Sequence, residues 1–208
     1  HFLSIILEVG FGFDVSSASE VLICDKIGGK VMHSGNYLGG DELFGAAAAG
    51  FILNLDDVSQ LDLLEKIPEI LSFRINPGVT AGSMESLLTA GPDAKYGVPF
   101  EKAAEAYGRA REMGVKKFGI HMMTGSNVSE EEYFPAVVEK LFEIVAGLPV
   151  EVEFMNIGGG FGVRTDGVAF GALGCEFFVD AIPGWRRLLG GLDRRGIGLL
   201  ILRKSGLG

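Results

Sequence analysis

Seven short apolar runs recur along the chain, at residues 12–15 (GFDV), 30–33 (KVMH), 50–55 (GFILNL), 70–75 (ILSFRI), 118–122 (FGIHM), 152–157 (VEFMNI) and 198–202 (GLLIL). Each is apolar almost throughout instead of alternating with polar residues, the pattern of strands covered on both faces. Helical stretches lie between them. Ser17 with Glu20 and Ser129 with Glu132 fit capping boxes, in which a hydroxyl and a carboxylate satisfy free amide donors of a first turn. Asp57 with Gln60 is a looser version, and Asp56 beside it reads as another cap. Pro99 suits the start of an amphipathic run over residues 100–113, and Gly114 suits its end. Strands alternating with helices in one direction predict parallel βαβ units.

That pattern suits a barrel or a doubly wound sheet. A dinucleotide-binding sheet carries its glycine-rich loop after the first strand. Here the richest loop, Gly158-Gly159-Gly160-Phe161-Gly162, follows the sixth apolar run, and phosphate loops after late strands are the habit of barrels. We therefore expect an α/β fold, an incomplete TIM-type (β/α) barrel forming a single domain over residues 1–208, since 208 residues fall short of the ~250 of a full barrel. The first ten residues, HFLSIILEVG, are apolar without a basic leader and read as a piece of helix rather than a signal peptide. Residues 164–174 are glycine-rich and weakly patterned, and resist placement.

Composition narrows the partners. A net charge of −9 argues against nucleic acid or an anionic membrane surface, either of which would want a basic face. No apolar run approaches the ~20 residues of a membrane span. Cys24 and Cys175 are too few and too far apart for a disulfide scaffold, which points to a reducing cytoplasm. His1, His33 and His121 are equally scattered, so no metal-ligand spacing forms.

In a barrel, chemistry collects at the C-terminal ends of the strands. Those positions hold Asp14, Ser34, Asn36, Asp56, Asn76, the stretch from His121 through Met123 to Ser126, Asn156 with its glycines, and Lys204. Glycines at 158, 159 and 160 would let backbone amides approach a phosphate, or simply make a tight turn. His121 could line a pocket or be a hydrogen-bonded core histidine. Arg74 interrupts an apolar strand and needs an anionic partner, for which Asp14 on a neighbouring strand end is a candidate. Lys95 reads as a solvated loop charge.

Several segments, in order, resemble the fold-type III (alanine-racemase-like) pyridoxal-phosphate-dependent decarboxylases. They are Gly12-Phe13-Asp14-Val15-Ser16-Ser17 with Glu20, Asn54-Leu55-Asp56-Asp57, Phe73-Arg74-Ile75-Asn76-Pro77-Gly78, Lys95-Tyr96-Gly97, Gly119-Ile120-His121 leading to Gly125-Ser126, and Asn156-Ile157-Gly158-Gly159-Gly160. The diaminopimelate decarboxylase type stands nearest, with ornithine/arginine-type and carboxynorspermidine decarboxylases as neighbours. The resemblance implies pyridoxal 5'-phosphate as cofactor and an amino acid as substrate, decarboxylated with the cofactor ring as electron sink. It implies that Gly158, Gly159, Gly160 and Ser126 hold the phosphate. Asp14, Arg74 and His121 would lie near the ring, and a homodimer would form.

The departures are specific. The family's Schiff-base lysine stands at a spacing from Asp14 that falls upstream of His1. The histidine that faces the ring in most relatives is replaced by Met123, which can pack on a ring but carries no charge. The family's Glu-Pro-Gly-Arg motif aligns with Lys204-Ser205-Gly206-Leu207, which has neither ring-nitrogen nor phosphate partner. The family's C-terminal β-domain is expected to be absent from these residues. Catalysis by the isolated chain is accordingly not expected. A non-catalytic cofactor- or phosphate-binding barrel is the alternative, and exposed barrel edges predict self-association.

Overall fold

The structure is a computed structural model that describes residues 2–77, 96–123, 125, 133–159 and 178–180. Eight strands join in one sheet. β1 (Phe13–Val15), β2 (Val31–His33), β3 (Ile52–Leu55), β4 (Ile70–Asn76), β6 (Lys117–His121) and β7 (Val152–Asn156) pair in parallel, in that order. Short β5 (Val98–Pro99) pairs in parallel with the end of β4. β8 (Phe178–Asp180) pairs antiparallel with β7, which departs from the uniformly parallel sheet expected. Six of the seven apolar runs are thus strands, and the seventh, 198–202, lies outside the described residues.

The helices start and stop where local chemistry dictates. α1 (Phe2–Glu8) is the expected opening helix. α2 (Ala18–Ile27) begins at Ser17, whose hydroxyl accepts from the Glu20 amide at 3.4 Å. The Glu20 carboxylate returns to the Ser16 amide at 2.9 Å, one residue earlier than a strict capping box requires, and these bonds hold its pKa below the usual carboxylate value. α3 (Gly40–Ala48) follows β2. Asp57 and Gln60 form the expected box, but it heads a 3-10 turn (Val58–Leu63) rather than an α-helix. α4 (Phe100–Glu112) follows Pro99 and ends before Gly114, whose φ of 107° is the left-handed geometry that glycine supplies at a helix C-terminus. It buries Ala103, Ala106, Tyr107 and Ala110, an i, i+3, i+4, i+7 stripe. α5 (Tyr133–Ala146) buries Val137, Leu141, Ile144 and Val145 by the same rule.

Successive strand residues face opposite sides of the sheet. On the outer side Leu53, Leu55, Leu71, Phe73, Ile75, Phe118 and Ile120 pack against the helices in one large apolar core. Tyr107 meets Phe73 and Phe118 edge-on, with ring centroids 5.1 and 5.7 Å away, and its hydroxyl donates to the Gly119 carbonyl at 2.7 Å. On the inner side Met32, Ile52 and Phe154, with Ile70 against them, form a separate small cluster.

The sheet is curled, and side chains prove it. β2 and β7 are four strand spacings apart, about 19 Å in a flat sheet. Yet Asn156 on β7 reaches Met32 Sδ on β2 at 3.6 Å, and Lys30 Nζ lies 5.7 Å from the centre of the Phe154 ring. The expected barrel is therefore present as a half-barrel whose concave side is the inner face. Gly119 makes room for this curvature: a Cβ there would lie 2.0 Å from Phe154 Cζ.

Candidate functional site

The concave face is layered along the strands. Its floor is the apolar cluster of Met32, Ile52, Ile70 and Phe154. One step further, on the same side by strand alternation, come Asp14, Asn54, Ser72, His121 and Asn156, and at the rim Asn36, Asp56 and Arg74. Polarity therefore rises towards the strand C-terminal ends, the end at which barrels carry their chemistry.

Within this layer the Ser34 hydroxyl donates to Asp14 Oδ1. Asn54 Nδ2 donates to His121 Nδ1 at 2.9 Å, which leaves the imidazole proton on Nε2. This contact spans from β3 to β6, over β4, so it exists only because the sheet curls. His121 thus sits on the concave face and also makes the hydrogen bond of a core histidine. Asn54 Oδ1 and Ser72 Oγ are fully buried and have no hydrogen-bond partner among the described residues. A bare buried polar atom costs about 1–3 kcal/mol. Such atoms on a concave polar face suit a polar ligand.

Arg74 is where the sequence reading needs correction. Strand order places β2 and β3 between β1 and β4, so Asp14 is not on a neighbouring strand end. Arg74 Nη1 donates to Asn36 Oδ1 at 2.8 Å, and its guanidinium lies 5.4 Å from the Tyr96 ring centre. Tyr96 is brought there by Gly97, whose φ of 92° and lack of Cβ let the chain approach the Asn76 amide and Arg74 carbonyl. Tyr37 stacks at a tilt on Tyr96, centroids 5.2 Å apart. Its φ of 52° is uncommon for a residue with a side chain, and its amide donates to both Asp56 carboxylate oxygens at 3.2 Å. Asp56 is therefore not a helix cap: it braces the Asn36–Tyr37 turn. Burial pushes its pKa up, opposed by the bonds from the Tyr37 amide and its own. Tyr37 carries no motif signal, and Tyr96 appears in the sequence only as part of the Lys95-Tyr96-Gly97 segment, without a role.

The glycine turn is built by the end of β6. Gly158 has a φ of 72°, and a Cβ there would lie 2.6 Å from Met123 Sδ and 2.8 Å from the Met122 carbonyl. Asn156 Oδ1 accepts from the Gly158 amide at 2.8 Å, and Met123 Sδ accepts from the Gly159 amide at 3.3 Å. The structure thus brings Met123 and the first two glycines into contact. Gly160, Ser126, Lys95, Lys204 and residues 164–174 lie outside the described residues.

Among the described residues no three His, Cys, Asp or Glu side chains gather to hold a metal, and no helix is long and apolar enough to cross a membrane. What gathers is a glycine turn, an arginine, an imidazole and a carboxylate around a concave polar wall with two orphaned polar atoms. That set fits a flat, phosphorylated heteroaromatic group.

Residues 1–170 match the family described as pyridoxal-dependent decarboxylase, pyridoxal binding domain. Over 171 residues the chain is 37% identical to a diaminopimelate decarboxylase of Methanothermobacter thermautotrophicus, covering 77% of this chain and 40% of that protein. It is 32% identical to the protein TabA of Pseudomonas amygdali pv. tabaci, over 77% of this chain and 40% of TabA. A solved diaminopimelate decarboxylase from M. jannaschii in complex with L-lysine superposes with a TM-score of 0.70 at 26% identity, over 78% of this chain and 42% of that one. The Helicobacter pylori enzyme with L-lysine gives 0.67 at 25% identity, over 80% and 46%. The chain spans about 40% of the length of these curated relatives. The chain belongs to the pyridoxal-dependent decarboxylase family, of which it carries the pyridoxal-binding domain.

Proposed function

We propose that these residues form the cofactor-holding barrel of an amino-acid decarboxylase of the diaminopimelate type, acting in lysine biosynthesis. The observation that carries this reading is the concave layer itself, in which Asp14, Arg74, His121 and the Gly158–Gly159 turn stand at the same ends of one curled parallel sheet. Gly158, Gly159, Gly160 and Ser126 would hold the phosphate of pyridoxal 5'-phosphate, and Asp14, Arg74, His121 and Met123 would surround its ring. Bound there, the cofactor supplies an electron sink for the carbanion left by loss of a carboxylate. The chain's own residues do the holding. Asn54 fixes the orientation and tautomer of His121, so that Nε2 carries a proton to donate. Ser34 anchors the Asp14 carboxylate. Asn36 and Tyr96 hold the Arg74 guanidinium at the rim, where it offers a fixed positive charge. The apolar floor keeps water out from below.

An amino acid is the substrate class. A diamino acid is favoured because two relatives of this fold are solved with L-lysine. A homodimer in the cytoplasm, with no nucleic-acid or membrane partner, completes the reading. The test reads binding. Titration with pyridoxal phosphate, followed by absorbance and then by borohydride reduction, is expected to give saturable binding without a lysine adduct. Absence of saturable binding would overturn the proposal. A stoichiometric adduct on Lys95 or Lys204 would move the nucleophile into this segment and overturn the expected position of the lysine.

A further inference from the structure

We propose that Met123 is a displaceable acceptor seated on the glycine turn, and that it sets how tightly the turn takes a phosphate. The proposal rests on the cofactor reading above. Three observations carry it. The Gly159 amide, one of the amides a phosphate would use, donates to Met123 Sδ at 3.3 Å. The sulfur occupies the space beside Gly158 that a Cβ would fill, since such an atom would come within 2.6 Å of it. And the Gly158 amide is held by Asn156 Oδ1 at 2.8 Å, a bond that does not involve Gly159.

The chemistry gives the order of preference. A thioether is a weak acceptor. A phosphate oxygen carries charge, and an amide bond to an ionised acceptor is about twice as strong as one to a neutral acceptor. An arriving phosphate therefore takes the Gly159 amide from the sulfur. Met123 can yield because its side chain has three rotatable bonds and adapts to irregular space. A residue that gives the amide no acceptor would leave it free for the ligand, and one that offers a stronger acceptor would hold it back. Met123 is a positioning residue in this scheme, acting on the ligand through the loop amide.

Two variants push in opposite directions. Met123→Leu keeps the bulk and removes the acceptor, while Met123→Gln offers a carbonyl to the same amide. Dissociation constants are measured for pyridoxal phosphate and for pyridoxal, which lacks the phosphate, at fixed ionic strength. Hydrogen exchange at the Gly159 amide is followed by NMR in the ligand-free protein. Met123→Leu gives up only a weak bond and is expected to bind pyridoxal phosphate ~2- to 3-fold more tightly, whereas Met123→Gln offers an ordinary carbonyl acceptor and is expected to bind it ~3- to 10-fold more weakly. Because Met123 also borders the ring, the readout is the ratio of the pyridoxal phosphate constant to the pyridoxal constant, which is expected to shift by these factors, and Gly159 exchange should speed up in the leucine variant and slow in the glutamine variant. Equal affinities for pyridoxal phosphate in all three proteins, with binding intact, would overturn this proposal alone. A shift of equal size for pyridoxal, which leaves the ratio unchanged, would overturn it too, since the effect would then come from the ring contact alone. No binding by any of the three would overturn the cofactor reading together with it.

Discussion

The two faces of the same strands obey opposite rules. On the outer face, Leu53, Leu55, Leu71, Phe73, Ile75 and Ile120 are apolar and essentially sealed from solvent, and they meet helix residues of matching character. On the inner face, one residue over, stand Asn54, Ser72, Arg74, His121 and Asn156, which bond across the curl or, for Asn54 Oδ1 and Ser72 Oγ, have no partner among the described residues. Stability and function are divided by side-chain parity: a one-residue step along β3 or β4 crosses from packing that drives folding to polar groups that cost burial energy. Even the inner face keeps an apolar floor, so the cost is confined to the strand ends, where a ligand can offset it.

Three measurements break or sharpen this contrast. The largest effect belongs to the outer face. Phe73→Ala removes a fully buried ring that packs edge-on against Tyr107, and is expected to cost about 3–5 kcal/mol in urea unfolding. A loss under ~1 kcal/mol would mean that the outer core does not carry the fold.

Next comes the outer face's own exception. His33 shares the parity of Val31, is fully buried, and accepts from the Gly35 amide through Nδ1 at 3.2 Å. Burial lowers its pKa, against the opposing pull of Glu42 and Glu20. The folded state thus prefers neutral His33, while the unfolded chain takes up a proton near pH ~6.5. Its contribution to stability is intact above that pH and is lost as pH falls below it, towards the lowered folded value. Thermal unfolding between pH 8 and pH 5 should show a fall in Tm that is shallower in His33→Gln. An unchanged slope would clear His33 of this role.

The smallest effect has the opposite sign. Ser72→Ala removes a buried hydroxyl with no partner among the described residues, and is expected to leave stability unchanged or raise it by up to ~1 kcal/mol. A clear loss would show that Ser72 Oγ has a structural partner and that the inner face is less costly than described.

The element pattern was largely legible in advance. Six of the seven apolar runs, the Ser17 cap and the Pro99 and Gly114 boundaries reflect interactions between residues a few positions apart and appear as read, while the Asp57 box heads a 3-10 turn and the run 198–202 lies outside the described residues. The residues at the strand ends were also legible, because a parallel strand followed by a helix puts its last residues on one side of the fold. Partners were not. The expectation that Asp14 and Arg74 stand on neighbouring strand ends failed because adjacency in a sheet depends on strand order, and two strands intervene. Asp56 read as a cap because caps are local, whereas its acceptor role belongs to a turn nineteen residues earlier. The antiparallel β8 lies outside the seven apolar runs read as strands.

The amino-acid sequence by itself determined which segments are strands and helices and which residues stand at their ends, since hydrophobic period and capping are short-range. Only the tertiary structure decided who meets whom on the concave face. The curl that brings Asn54 to His121 and Asn156 to Met32, and the turn that seats Met123 Sδ on the Gly159 amide, come from packing helices on one side of a twisted sheet. That packing is a property of the whole assembly, and no window of the sequence contains it.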